Sequence, residues 1–214
     1  MAIALDVDAF KSAGVDLPAA ILADRKDGGG LFGGGPYDTA LAMQALLASG
    51  QALPDGVIDS LLATRLPDGA YAFNGDLTTG TGDSNTTAVV VLALIAAGET
   101  VAAAPSLEYF RSAQNEDGGW TYQKPSAFGE ATDANSTALV MQALAAAGED
   151  LAAWNDPASA LVSLQQPSGA FAFNAGTPGD NLLATVQAIP ALASTSEGPA
   201  RGGSISVPLL GFIG

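Results

Sequence analysis

Tyr37–Gly50 reads YDTALAMQALLASG, and the phrase returns as NTTAVVVLALIAAG over Asn85–Gly98 and as NSTALVMQALAAAG over Asn135–Gly148. The closing glycines stand 48 and then 50 residues apart. A period of this size marks one supersecondary unit copied and stacked. A second phrase recurs between the copies: Asp68-Gly69-Ala70-Tyr71-Ala72-Phe73, Asp117-Gly118-Gly119-Trp120-Thr121-Tyr122 and Ser168-Gly169-Ala170-Phe171-Ala172-Phe173. Two diverged copies flank these. One ends at Gly14 (AIALDVDAFKSAG); the other is Asn181–Ala193 (NLLATVQAIPALA), in which Gln187 aligns with Gln44 and Gln142. Pro190 is expected to break the last copy, because proline removes a helix hydrogen bond and crowds the preceding turn.

The apolar phrase reads as a helix, being dominated by Ala, Leu, Met and Gln. Asn85, Asn135 and Asp180 stand at its start, where short polar side chains cap free N–H groups. Gly14, Gly50, Gly98 and Gly148 stand at its end, where a left-handed residue closes a helix. These helices are apolar nearly all round and are expected to lie inside. A second, amphipathic helix follows each glycine and is expected to start at Pro18, Pro54, Pro105 or Pro157. Inner and outer helices alternating in this way make an all-α array of about four and a half hairpins, curved into an arc or ring. The expected repeat domain spans residues 1–195, and residues 196–214 form a C-terminal tail whose apolar LLGFIG ending suggests truncation.

The charge is −15 with 22 acidic and 7 basic residues, and 48% of the chain is hydrophobic. Such a surface repels nucleic acid and anionic lipid, and the apolar content is too high for a disordered acidic tail. The absence of Cys and His removes disulfides, thiolate chemistry, the commonest general base and the commonest transition-metal ligand. No apolar run reaches a membrane span, and MAIALDVDAF lacks the basic start of a signal peptide. We expect an extracellular or cell-surface protein whose leader is missing here, with a cytoplasmic location as the alternative.

Leu107–Trp120 (LEYFRSAQNEDGGW) resembles the glutamine–tryptophan motif of the prenyltransferase and squalene–hopene cyclase repeat superfamily, with Gln114, Gly118 and Trp120 in the matching places. Gln165–Phe171 is a weaker copy, and Arg65–Tyr71 a weaker one still that lacks the Gln. The resemblance covers essentially the whole chain and implies an α/α-toroid, partial or open. That fold serves cyclases, protein prenyltransferases, cobalamin carriers and thioester domains alike, so it does not assign a function. The family's catalytic features do not carry over. The Asp-x-Asp-Asp acid motif of cyclases is absent, Asp6-Val7-Asp8 being the nearest approach, and the prenyltransferase zinc needs Cys and His.

Three readings stand open for Asp38, Asp83, Asn85, Asp133, Asn135, Asp180 and Asn181. They cap helices and turns; or they form a ligand rim at the positive ends of the inner helices; or Asp76, Asp83 and Asp133 donate oxygens to calcium. Gln44, Gln142 and Gln187 either bond between neighbouring inner helices or line a central cavity, since a buried amide needs a partner. The first aromatic of each turn is expected to be a buried staple. The second, as in Phe73 and Tyr122, is expected at a rim suited to a sugar or a hydrophobic ligand. The long loops Gly75–Ser84, Gln123–Thr132 and 174–179 are the expected binding surface. The glycine runs Gly28–Gly30 and Gly33–Gly35 form no phosphate loop, because no Lys-Ser or Lys-Thr follows.

We therefore expect a non-catalytic module binding a small-molecule or polymer ligand through Asp83, Asn85, Asp133, Asn135, Gln44, Gln142, Gln187, Tyr122 and Phe73. No cofactor or metal and no nucleic-acid partner is expected, and the oligomeric state stays open. The alternatives are an enzyme fragment of cyclase or prenyltransferase type and a structural scaffold within a larger surface protein.

Overall fold

Short polar residues and glycines punctuate the chain into helices, and the caps show how. In the computed structural model, which describes residues 14–25, 30–127 and 129–196, Asp83 accepts the Thr86 amide at 2.7 Å and Asp133 the Ser136 amide at 2.8 Å. Asn181 accepts the Ala184 amide at 2.9 Å in the same way. The caps thus fall earlier than expected at Asn85 and Asn135, which lie inside the first turn, and one residue later than at Asp180. Only the residue just before the first helical position has its side chain beside the free amides. At the other end, Gly50, Gly98 and Gly148 take φ of 74°, 85° and 79° and close their helices, a conformation that costs an L side chain.

The described residues form eight α-helices and no strand: α1 (Leu17–Ala23), α2 (Pro36–Ala48), α3 (Val57–Leu62), α4 (Ser84–Ala96), α5 (Thr100–Ala113), α6 (Ala134–Ala146), α7 (Pro157–Val162) and α8 (Leu182–Ser196). The apolar helices pack in a row, α2 on α4, α4 on α6 and α6 on α8, and α5 and α7 lie against α4 and α6. Small residues let the row close tightly: Ala134, Ala138 and Met141 of α6 share one buried cluster with Ala184, Ala188 and Ala191 of α8.

Three proline expectations need correction. α5 begins a turn early, at Thr100, which leaves Pro105 inside it, and α3 begins three residues after Pro54. Pro190 likewise sits inside α8 without ending it. The packed faces on either side hold these helices together where one backbone bond is missing, since tertiary burial outweighs local propensity. The first inner copy with Asp6 and Asp8, Gly28 and Gly29, and residues 197–214 lie outside the described residues.

Each turn is held by one repeated device. Thr39, Thr87, Thr137 and Thr185 accept the backbone N–H of Phe32, Tyr71, Trp120 and Phe171, at 2.9, 3.0, 3.0 and 2.9 Å. These threonines fix the register of the repeats. They also show that Gly30-Leu31-Phe32 is a first aromatic turn, hidden from sequence reading by its run of glycines. The first aromatics are buried, Tyr71 and Trp120 fully and Phe171 nearly so, while Phe73, Tyr122 and Phe173 are 52%, 44% and 37% exposed.

Each turn also docks on the hairpin that follows. A side chain at Gly30 would overlap Ser60, one at Gly69 the Pro105 carbonyl, and one at Gly118 the Asn155 carbonyl. The side chain six or seven residues upstream of the buried aromatic reaches in the same direction. Arg25 donates to Asp55 O at 2.6 Å, Arg65 to Ala102 O at 3.0 Å and Gln114 to Trp154 O at 2.6 Å. Arginine therefore does at two turns what the motif glutamine does at the third.

Candidate functional site

The N-terminal ends of the inner helices are where aromatic rings, buried acids and long loops meet. The backbone brings them together. Ser84 at the start of α4 donates its N–H to Tyr122 O at 2.8 Å, and Ala134 at the start of α6 donates to Phe173 O at 2.8 Å. The starts of α4 and α6 thus each carry the second aromatic of the next turn. At α2 the same place is taken by Phe73, whose ring lies 5.3 Å from that of Tyr37. Gln123 of one long loop donates to Gly80 O of the preceding one at 2.8 Å. Phe73, Tyr122 and Phe173 form the half-exposed edge of this end. Tyr37 was missed by sequence reading; its signal is its register, since it occupies the place of Asn85 and Asn135 two residues after the helix cap.

Asp83 sits beneath the aromatics. Its Oδ1 caps α4, while its buried Oδ2 makes no hydrogen bond of good geometry, and the same holds for Asn85 Oδ1 and Thr86 Oγ1. Burial pushes the Asp83 carboxyl up to about 6, against the opposing pull of bonds from Thr86 and of the nearby Tyr122 hydroxyl. Burial likewise raises Asp133, against its bonds from Ser136. At both caps desolvation thus exceeds the help of the helix dipole. Burial, then the Asp83 charge, pushes Tyr122 up to about 12 and raises Tyr37.

The other candidate residues divide by helix contact. Gln44 donates to Val89 O of α4 at 3.1 Å, and Gln142 donates to Gln187 O of α8 at 3.3 Å. Gln187 accepts from Asn135 Nδ2 at 2.6 Å. All four amides therefore tie neighbouring inner helices together. The threonine register moves Gln187 three residues away from the place of Gln44 and Gln142, to that of Leu41, Val89 and Leu139. Asp76 is fully exposed and turns its carboxylate to the Thr78 amide at 2.8 Å, while Asp83 and Asp133 cap separate helices. The three candidate calcium ligands are thus not brought together, and no group of three acidic residues among the described residues is placed to hold a metal. No helix among the described residues is long and apolar enough to cross a membrane.

The raised Asp83 pKa carries a pH expectation. A carboxyl that binds its proton more tightly when folded adds stability below the unfolded pKa near 4, and that stability is lost as pH rises through about 6. Asp83→Asn keeps a competent cap and removes the titration. Thermal unfolding should show the wild type gaining stability from pH 7.5 to 4.5, and the variant gaining less, by about 1–3 kcal/mol. Parallel pH profiles would show that Asp83 titrates normally.

No protein-family model matches the sequence, and no curated protein matches it.

Proposed function

We propose that the chain is a non-catalytic binding module built on an α/α-toroid arc of the prenyltransferase and squalene-cyclase type, taking its ligand at the N-terminal end of the inner helices. The observation that carries this reading is the half-exposed row of Phe73, Tyr122 and Phe173, one ring per repeat, the latter two at inner-helix starts that hold the buried acids Asp83 and Asp133. Aromatic faces bury large area at low entropic cost, and the neighbouring acids accept hydrogen bonds from hydroxyl or amine groups. A ligand with repeated units, such as an oligosaccharide, matches a row of this kind better than a single compact molecule. The alternation of inner and outer helices and the Gln114–Trp120 motif support the toroid.

The test is native mass spectrometry with a panel of cobalamin, oligosaccharides, a polyprenyl diphosphate and short peptides. An adduct that disappears in the double variant Tyr122→Ala, Phe173→Ala is expected, with cobalamin and the diphosphate negative. An adduct indifferent to those substitutions, or none with any member, would remove the support.

One observation favours the enzyme-fragment reading: Asp83 is a buried carboxyl with a raised pKa between Tyr37 and Tyr122. A cyclase needs such a group protonated and open to an alkene. Asp83 instead spends Oδ1 on capping α4, so incubation with squalene or a polyprenyl diphosphate is expected to give no cyclised product. A product lost in Asp83→Asn would reverse this choice.

A further inference from the structure

The devices that join one hairpin to the next are present once more at the end of the row, and there they meet no partner hairpin among the described residues. Gly30, Gly69 and Gly118 press against the following outer hairpin, whereas at Gly169, with φ 90°, no atom of the described residues lies within contact of the place its side chain would occupy. Arg25, Arg65 and Gln114 reach into that following hairpin, whereas the bond shown for the Gln165 amide, at the same place, goes to Gly169 O of its own turn at 3.0 Å. The inner helices repeat the pattern. Ser84, Ala88 and Val91 of α4 are buried, as are Ala134, Ala138 and Met141 of α6, which pack on α8. The threonine register places Leu182, Val186 and Ile189 of α8 at the same three positions. Leu182 is 81% exposed, Ile189 62% exposed and Val186 half-buried.

A repeat array ends on a polar face when its last unit meets water. α8 carries no charged residue over Leu182–Ser196, although the whole chain carries −15. At the first two stripe positions Leu182 and Val186 are larger than their buried counterparts on α4 and α6, and at the third Ile189 matches Met141 in size. The end of the row is therefore composed as an interface rather than as a cap.

We infer that the outer face of α8, with the Gly169 turn, is an interaction surface for one further helical hairpin of this same repeat type. The partner's chemistry follows from the filled interfaces. Its outer helix brings an N-terminal backbone carbonyl to Gly169 and Gln165. Its inner helix brings small residues at positions i, i+4 and i+7 against Leu182, Val186 and Ile189, as Ala184, Ala188 and Ala191 do for α6. This inference rests on the interfaces between repeats and stands or falls separately from the ligand reading.

The chain has no cysteine, so Ile189→Cys supplies a single reporter thiol on this face. Native-state thiol labelling is compared between the full chain and the full chain lengthened by a second copy of residues 147–196 placed after Ser196. The expected result is labelling slowed at least about tenfold at the original position in the lengthened chain, since a covered thiol reacts only on opening. The same substitution in the added copy should label at the rate of the unlengthened chain. Circular dichroism reports whether the added hairpin is helical. Unchanged labelling, or an added hairpin that stays unfolded against this face, overturns the inference. Labelling of the unlengthened chain that slows as its own concentration rises also overturns it, and gives the face to a second copy of the chain.

Discussion

Trp120→Ala is expected to lower stability by about 3–5 kcal/mol, the scale of a fully buried tryptophan truncation. Trp120 has no exposed surface. Its indole N–H donates to Phe110 O of α5 at 2.8 Å, and its own amide is held by Thr137 of α6. The ring lies 6.2 Å from Trp154, over which Arg111 stacks at 3.9 Å while also meeting Glu149 at 3.5 Å. Truncation leaves a cavity between two repeats, strands a buried carbonyl and loosens the Trp154 ring that precedes α7. Urea unfolding measures it, with Tyr122→Ala as the comparison. Tyr122 follows Trp120 by two residues but is 44% exposed, so it should cost far less. A loss at Trp120 within about 0.5 kcal/mol, the scale of surface substitutions, would place its ring outside the core.

Gly118→Ala should cost more than Gly169→Ala, by about 1–3 kcal/mol, the usual scale of forced overpacking. The two glycines have the same backbone conformation, φ 91° and 90°, so the penalty for a side chain there is common to both. They differ in what the new methyl meets: the Asn155 carbonyl at Gly118, open space at Gly169. The carbonyl belongs to backbone just before α7 and cannot swing aside as a side chain would. Paired denaturation curves read the difference directly. Equal losses would show that the turns do not bear on the following hairpin.

The inner helices were legible because their signals are local. A capping Asp or Asn, a run of Ala and Leu, and a closing Gly each act within one turn of chain. The alternation within the aromatic turns was legible for the same reason, with Tyr71, Trp120 and Phe171 inside and Phe73, Tyr122 and Phe173 outside. The errors arose where several residue types satisfy one physical need. A backbone carbonyl accepts from Arg as readily as from Gln, so Arg25 and Arg65 were not seen as equivalents of Gln114. A shift of three residues along a helix keeps a side chain on nearly the same face, so periodicity alone misplaced Gln187 by one turn. Pro105 was read as a start because nothing in the sequence reports the packing that carries α5 across it.

At the candidate site the residue types were visible and their states were not. Asp76 and Asp83 are alike in sequence, yet one is an exposed turn carboxylate of lowered pKa and the other a buried cap of raised pKa. The difference comes from what the fold stacks above each, and that includes Tyr37 and Tyr122 from separate repeats.

The forward reach of Arg25, Arg65 and Gln114 has a consequence for how such a chain is made. These bonds span from 30 to 40 residues of sequence and always run from an earlier turn to a later outer hairpin. During synthesis, the segment already released from the ribosome therefore carries a finished receptor for whatever emerges next. Growth can proceed by docking each new hairpin onto a settled template. Ordering short stretches one after another keeps loop-closure entropy small at every stage.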